Sequence, residues 1–486
     1  MARKTIDYEK VGDDYLEQRK LQRGAAGWVL LAGLGVAYVI SGDFAGWNFG
    51  LAEGGWGGLL IAAFLMGLMY TCMTLGLAEM SSTLPVAGAG YAFARRALGP
   101  LGGFATGMAV LIEYAVAPAA IATFIGGYVE ALGLFGLTNG WVVYLIAYAI
   151  FIGIHLYGVG EALKLMFAIT AIAVVALLAT VIGLLPEFSF SNLTDIAPDS
   201  SAAMSSDFLP YGIAGVVAAL VYGIWFFLAI EGVPLAAEEA ENPAKDMPRG
   251  IMAGMGTLLL FMVLILFIVP GAAGSETIQG SDNPLPEAIR AVHGDGSVLA
   301  DFVNYAGLAG LIASFFSIIY AYSRQLFALS RAGYLPKGLS LTSRRNTPYI
   351  ALLVPGTIGF LLATLLSETM ASPADAGALL INIAVFGATV SYVLLNLSHI
   401  MLRRREPDLE RPYSTPGGVV TTGIALVLSV IAVIATFFVD QKAAGITALV
   451  FVAALAYFWF YSRHHLVHSA PEEEFAAIEE AESHLH

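Results

Sequence analysis

The sequence predicts an all-α membrane protein with twelve transmembrane helices. Of the 486 residues, 58% are hydrophobic and only 12% are charged, whereas a soluble domain carries about 25% charged residues. The apolar residues are collected in runs of roughly 20 residues or more, the length that a helix needs to cross a bilayer. The twelve runs cover residues 26–52, 57–83, 101–129, 139–157, 162–186, 209–236, 249–271, 301–330, 348–367, 376–401, 417–439 and 443–462.

The chain begins with a charged segment, residues 1–24, in which no apolar core precedes a cleavage site. We therefore expect no signal peptide and place this segment in the cytoplasm. Residues 25–462 are expected to form one membrane domain. Residues 463–486 are expected to be an acidic, solvated cytoplasmic tail, and its closely spaced histidines, His464, His465 and His468, lack the further ligands of a metal site.

The Lys and Arg residues predict the orientation of the chain. With the N-terminus in the cytoplasm, all of the 23 Lys and Arg residues except Arg290 and Lys442 fall in cytoplasmic segments. This asymmetry is the one that the positive-inside rule describes. It predicts a multi-pass protein of the cytoplasmic membrane with an even number of spans and both termini inside.

The first span is interrupted in "ISGDFAGW", where Asp43 lies between Gly42 and Gly46. The Asp43 carboxylate could stabilise a bound cation, or it could cap the second half of the helix, a contribution of about 1 kcal/mol. A charge in the middle of a span costs roughly 2.5–3.5 kcal/mol on insertion scales, and Ser would cap nearly as well. This comparison favours the cation, but the two interpretations are compatible.

The sixth span is interrupted too, by Glu231, Gly232 and Pro234 in "LAIEGVPLAA". Irregular backbone at membrane depth has to line a cavity or be buried in protein. The first and sixth spans would hold equivalent positions in two inverted five-helix repeats, and paired interruptions of this kind point to a binding site between the repeats. Since spans 1–5 and 6–10 share no clear residue similarity, the repeat is predicted from the number of spans and the position of the breaks.

Other polar residues within the spans are candidates for the same site. Glu113 in the third span could meet a cation or carry a proton, or it could form an internal polar bridge, and its neighbour Tyr114 suggests a helix that lines the pocket. Glu231 could act in gating or proton coupling, or it could be a hydrogen-bond hub for the broken backbone. Glu79, near the end of the second span, is expected to be structural.

Aromatic and hydroxyl side chains complete the candidate site. Trp225 and Phe227 could hold an ammonium group by cation–π attraction, worth about 2 kcal/mol when desolvated, whereas ordinary packing is favoured for Phe226. Ser314 and Ser317, which recur with Tyr320 along one face of the eighth span, could bind a hydroxyl group or join helices. The predicted binding residues are Ser41, Gly42, Asp43, Phe44, Glu113, Tyr114, Trp225, Phe227, Ala229, Glu231, Ser314 and Ser317, with Glu113 and Glu231 also the coupling or gating candidates.

Four segments resemble the amino acid–polyamine–organocation superfamily of transporters. They are "ISGDF" at the first break, "LAEMSSTLPVAGAGYAFARRALGP" at 77–100, "EGVPLAAEEAENPAKDMPRGI" at 231–251 and "YSRQLFALSRAGYLPKGLS" at 322–340. The resemblance implies ten core helices in two inverted repeats plus two peripheral helices, so residues 25–462 would be a transporter domain. It also implies that Trp225 stands where some members place an occluding aromatic residue.

The stretches "YLEQRKLQRGAAGW" and "ISGDFAGWNFGLAEGGWGGL" resemble the ethanolamine permease branch. In amino acid transporters of the superfamily, the N–H groups at the break of the first helix hold the substrate carboxylate. Asp43 would occupy those donors and repel a second carboxylate, so a cationic amine without a carboxylate suits the site better. The sequence departs from many proton-coupled relatives in lacking a lysine in the middle of span 5, where Lys164 lies only at the entrance.

We therefore expect a secondary transporter that takes up ethanolamine by alternating access, with protons as a candidate coupling ion. The alternatives are an amino acid or polyamine permease of the same superfamily, and a membrane solute sensor that does not transport. An enzyme is not expected, because the sequence shows no nucleophile–base set, metal-ligand cluster or phosphate loop. No cofactor, metal or nucleic acid partner is expected.

Overall fold

A computed structural model describes residues 8, 9, 11, 12, 14–19, 24, 26–86, 88–137, 139–471 and 473, without the side chains of residues 135 and 159–163. Most of the predicted N-terminal segment, and the tail after residue 473, lie outside the described residues. The predicted domain boundaries at 24 and 463 are therefore described only in part.

Twelve main helices, α1–α12, correspond to the twelve predicted spans within the described chain. Eleven are long and apolar enough to cross a membrane when α6 is counted with its continuation, and α1 is a shorter apolar helix. Their bounds are α1 Trp28–Val39, α2 Phe49–Thr83, α3 Gly90–Ala131, α4 Gly140–Tyr157, α5 Val159–Leu184, α6 Gly212–Trp225, α7 Pro243–Ala273, α8 Val298–Arg331, α9 Tyr349–Thr369, α10 Pro373–Arg405, α11 Val419–Val439 and α12 Gln441–Phe460.

Many of the predicted ends agree with these bounds to within a few residues, but α1 and α6 end more than ten residues early, at the breaks, and α2 begins at Phe49 rather than at residue 57. Helix α3 differs as well. It begins at Gly90 rather than at residue 101, because a helical segment that carries Arg95 and Arg96 precedes the apolar run. Gly99 has φ +83° and marks the bend between the two parts, a conformation that glycine adopts at no steric cost. Since a charged lead-in is not apolar, a search for apolar runs does not find it.

The helix packing shows the inverted repeat that the sequence predicts. Each helix of α1–α5 has a counterpart five helices later, and the contacts of the one set recur in the other. Helix α2 packs on α6, and their counterparts α7 and α1 pack on each other. In the same way α3 packs on α10, and α8 packs on α5. The pairs α2–α7, α3–α8 and α4–α9 are their own counterparts. Helices α11 and α12 lie outside this pattern and pack on α10, with α11 also on α2 and α12 on α3.

Both ends of the described chain lie at one face of the bundle, which we call the terminal face. The Glu9 N–H donates to the Leu466 carbonyl at 2.7 Å, and Leu466, Val467 and Ala470 are buried. The prediction of a solvated tail is therefore wrong for this first part of it. The reason is that its apolar residues pack into a cluster with the ends of α3, α8 and α12.

A buried ion pair fixes this tail segment. Arg95 Nε and Glu473 Oε2 lie 2.8 Å apart, with side chains 7% and 0% exposed. The Tyr334 hydroxyl donates to Glu473 at 2.9 Å, and Arg95 also donates to the Tyr8 hydroxyl at 2.7 Å. The tail thus joins the start of α3 to residues from both ends of the chain.

Glu79 is a second ionic hub on the terminal face. It accepts hydrogen bonds from Arg403 at 2.5 and 2.9 Å and from the Thr415 N–H at 2.7 Å, and Arg411 lies 3.0 Å away. The carboxylate therefore ties α2 to α10 and to the loop before α11. This is the structural role expected for it.

Candidate functional site

The break after α1 lies at residues 45–48, in the second half of the predicted stretch. Ser41–Phe44 still form a helical turn, and Ala45 is then extended, with φ −157° and ψ 157°. Gly46 has φ +92°, and a Cβ on it would lie 2.6 Å from Trp225 Nε1. Glycine is needed here both for the left-handed backbone and for the close approach of the indole.

Ser314 of α8 is inserted into the hydrogen-bond ladder of α1. Its hydroxyl accepts from the Ser41 N–H at 2.9 Å and donates to the Ala37 carbonyl at 2.7 Å. In a regular helix the N–H of residue 41 would bond the carbonyl of residue 37 directly. Ser314 therefore holds the irregular end of α1, which is the helix-joining role left open for it by the sequence.

The break after α6 meets the break after α1. Between Trp225 and the 3-10 helix Ile230–Glu239, Ala229 takes φ +79°, an unusual value for a residue with a Cβ. Trp225 Nε1 donates to the Ala45 carbonyl at 3.0 Å, and a Cβ on Gly42 would lie 2.6 Å from the Trp225 carbonyl oxygen. The sequence prediction that the two interrupted segments come together is confirmed at this contact.

Glu231 is the centre of a buried carboxyl cluster. The Tyr114 hydroxyl donates to its Oε1 at 3.0 Å and the Tyr392 hydroxyl to its Oε2 at 3.2 Å, while Tyr70 and Tyr392 share a bond of 2.7 Å between their hydroxyls. The Glu113 carboxyl lies beside that of Glu231, is fully buried, and accepts no hydrogen bond from the described residues. Glu113, Tyr114 and Glu231 are thus brought together as predicted candidates.

Asp43 lies on the turn Ser41–Phe44 and is 1% exposed. Neither of its carboxylate oxygens accepts a hydrogen bond from the described residues. Asp43 also lies before the break, and Asn48 is the residue that precedes Phe49 and the next helical part. The interpretation of Asp43 as a cap of the second half-helix is therefore wrong, as is the expectation that its carboxylate occupies the free N–H groups there.

The other predicted residues pack on neighbouring side chains or bond within their own helix. Phe44 packs on α8, where a Cβ on Gly310 would lie 2.5 Å from its ring, and Phe227 packs on Tyr70 with ring centroids 5.3 Å apart. Phe226 packs on Trp47 at 5.8 Å, as favoured from the sequence. Ser317 donates to the Ala313 carbonyl of its own helix and faces Met166 of α5.

A further buried carboxylate, Glu239, lies toward the terminal face and was not predicted. Arg324 Nη2 donates to its Oε1 at 3.0 Å, with both side chains 1% exposed, and the Tyr320 hydroxyl donates to its Oε2 at 2.7 Å. This pair joins the end of the 3-10 helix to α8. In the sequence, Arg324 follows Tyr320 by one helical turn on α8. These two donors on one face are the pattern that could have pointed to an acidic partner such as Glu239.

We call the side of the bundle opposite the terminal face the loop face. There Asn48 links the break after α1 to the segment between α7 and α8. Its Nδ2 donates to the carbonyls of Ile278 and Ser281 at 2.8 and 2.9 Å. The interrupted region is thus joined to the segment between α7 and α8 at one end and to the Glu239–Arg324 pair at the other. This arrangement places the two breaks and the Glu231 cluster inside a closed bundle.

Comparison with known proteins agrees with this architecture. The family described as "Amino acid permease" matches residues 29–471. An uncharacterized transporter of Rhizobium meliloti is 31% identical over 438 residues, which cover 89% of this chain and 90% of that protein. A branched-chain amino acid permease of Bacillus subtilis is 27% identical over 84% of this chain and 86% of that protein. A methylthioribose transporter of the same organism is 26% identical over 88% of this chain and 89% of that protein.

Proposed function

The chain belongs to the amino acid permease family, and on this premise we propose that it takes up ethanolamine, or a close small cationic amine, by alternating access. The terminal face is then cytoplasmic and the loop face is outside, as the distribution of Lys and Arg indicates. The ethanolamine branch is supported by the sequence around the first break, from "YLEQRKLQRGAAGW" to "GLAEGGWGGL".

The observation that carries this proposal is Asp43. Its carboxylate is buried beside the first break without a hydrogen bond from the described residues. Burial of a charge is costly unless the charge is paired, and the ammonium group of a small amine would supply the pair. A substrate carboxylate would instead add a second negative charge to the same region.

An amino acid is the second candidate substrate, and the relatives favour it. The family as a whole is described as amino acid permeases, and one relative of this chain is a branched-chain amino acid permease. The methylthioribose transporter, at 26% identity, is named for a solute that is not an amino acid. In this alternative Asp43 has no direct part in binding.

For coupling, we propose that the Glu113–Glu231 pair carries a transported proton. Two adjacent carboxylates in a buried site cannot both be ionised at low cost, so the pair holds one proton between them. Tyr114 and Tyr392 donate to Glu231, which favours the proton on Glu113. The pair takes the place of the lysine that span 5 lacks.

Binding to the purified protein tests the substrate. We expect ethanolamine to bind, leucine, alanine and arginine not to compete, and Asp43→Asn to weaken ethanolamine binding at least tenfold, about 1.4 kcal/mol. The matched control is Asp207→Asn, which removes an exposed carboxylate in the loop before α6. If an amino acid binds and Asp43→Asn has no effect, the protein is an amino acid permease.

Uptake into proteoliposomes tests the coupling. Glu113→Gln and Glu231→Gln each replace a titrating group by a neutral group of the same shape. We expect both variants to bind substrate while substrate-driven proton movement is lost. Proton movement that persists in both variants would rule this pair out as the proton carrier.

A further inference from the structure

A groove of about 520 Å³ opens on the terminal face between the start of α1, the start of α7 and the loop between α10 and α11. The residues that matter in its lining are Trp28, Lys245, Arg249, Met252 and Tyr413. None of them takes part in the interrupted-helix site. The groove is therefore a candidate binding site separate from the interrupted-helix site.

The groove carries two positive charges that form no ion pair within the described part of the chain. Lys245 and Arg249 lie one turn apart on α7, both exposed, and neither forms an ion pair with another described residue. Of the nearby acids, Asp246 is buried and bonded to the Asn242 N–H. The exposed Glu241 carboxylate lies beside Gly27 and forms no ion pair with either cation. Other basic residues of this face, such as Arg95 and Arg403, are paired with glutamates.

The groove also has an exposed apolar side. Trp28 and Met252 are each 43% exposed, and Val29 beside Trp28 is 47% exposed. Tryptophan is enriched where a helix enters the headgroup region of a bilayer. Tyr413 lines the groove, and its buried hydroxyl has no hydrogen-bond partner among the described residues.

We propose that this groove binds the phosphate headgroup of an anionic phospholipid. Arg and Lys together recognise phosphate by charge and hydrogen bonds, and basic pockets between transmembrane helices hold acidic headgroups. The apolar residues beside the cations indicate a lipid rather than free phosphate, because acyl chains would continue along Trp28 and Met252. The bound headgroup would join α1, α7 and the α10–α11 loop, which are distant in sequence.

Thermal unfolding of the full-length protein in a neutral detergent tests this proposal. The additions are phosphatidylglycerol, phosphatidylcholine, or inorganic phosphate at the same phosphate concentration. We expect phosphatidylglycerol to raise Tm more than the other two. We expect Lys245→Gln/Arg249→Gln to need at least tenfold more phosphatidylglycerol for the same rise in Tm.

Two control variants separate the groove from net charge and from misfolding. Arg344→Gln/Arg404→Gln removes two exposed charges elsewhere on the terminal face and should respond as the wild type does. Lys245→Arg/Arg249→Lys keeps both charges and should also keep the response. An unchanged response in the Lys245→Gln/Arg249→Gln variant, an equal loss in the Arg344→Gln/Arg404→Gln variant, or equal protection by phosphatidylcholine or inorganic phosphate would each overturn the proposal.

Discussion

Asp282 is a largely buried carboxylate on the loop face, close to α3. A Cβ added to Gly127 of α3 would lie 3.0 Å from the Cβ of Asp282. Burial, followed by the nearby charges of Glu130, Asp375 and Glu287, raises its pKa to about 6. A carboxyl whose pKa is higher in the folded protein binds more protons there than in the unfolded chain. Its contribution to stability is therefore present at low pH and is lost as the pH rises from about 4 to about 6.

We expect Asp282→Asn to remove this pH dependence and to raise the free energy of unfolding above pH 6 by about 1–2 kcal/mol. Thermal unfolding from pH 4.5 to pH 8 measures it, with Asp207→Asn as the exposed control. If the wild-type and Asp282→Asn curves run parallel across this range, the carboxyl titrates normally and the prediction is wrong.

The sequence predicted some site residues because their residue type is rare in its surroundings. An acid within an apolar run, such as Glu113 or Glu231, stands out and has few inexpensive explanations. Tyr70 and Tyr392 were missed because the chain has 21 tyrosines and only the packing of α2 and α10 brings these two to Glu231. Asp43 was found for the same reason as Glu231, but its surroundings could not be predicted because they depend on where the helix unwinds.

At the scale of the element, Gly46 is the residue on which the contact between the two breaks depends. We expect Gly46→Ala to destabilise the protein by about 1–3 kcal/mol, because the new methyl group would strain the left-handed backbone and meet the Trp225 indole at 2.6 Å. Substrate binding should fall with it. Ligand binding and thermal unfolding measure both effects.

Gly256→Ala is the control for that substitution. Gly256 is exposed within α7, and a Cβ there would meet nothing within 4 Å. It should leave stability unchanged or raise it slightly, since alanine is the better helix former. A Gly46→Ala protein that is as stable as Gly256→Ala and binds substrate normally would show that the break tolerates a side chain.

The bounds of the helices were largely predictable because a bilayer requires a minimum apolar length. The exact point of unwinding was not, because it is set by partners on other helices. The hydroxyl of Ser314 enters the α1 ladder at Ser41, and the indole of Trp225 takes the Ala45 carbonyl. Neither contact has a local sequence signal.

At the scale of the whole molecule, the terminal face depends on the Arg95–Glu473 pair. Removal of one partner of a buried pair leaves an uncompensated charge and costs roughly 3–5 kcal/mol. We therefore expect Glu473→Gln to lower Tm and to expose the tail to proteases, and Arg95→Gln/Glu473→Gln to recover part of the loss. Thermal unfolding and limited proteolysis measure the two effects.

The control for the tail is Glu406→Gln, which breaks the more exposed pair with Arg96. The Arg96 and Glu406 side chains are 14% and 15% exposed, against 7% and 0% for Arg95 and Glu473. Water can reach the charge left in this variant more easily, so Tm should fall less. An equal change in the two variants would show that burial of Glu473 has no special weight. The prediction of a solvated tail was wrong for its first part because an acidic composition reveals neither the packing of its few apolar residues nor the buried partner of Glu473.

The docked tail has a consequence for biosynthesis. Arg95 and Glu473 are separated by 378 residues. During translation Arg95 therefore has no Glu473 to pair with until the remaining helices have been made. The terminal face can close only after the last part of the chain has left the ribosome. A chain that stops just after α12 would therefore leave the apolar side chains around Tyr334 and Phe458 without the cover of Leu466, Val467 and Ala470.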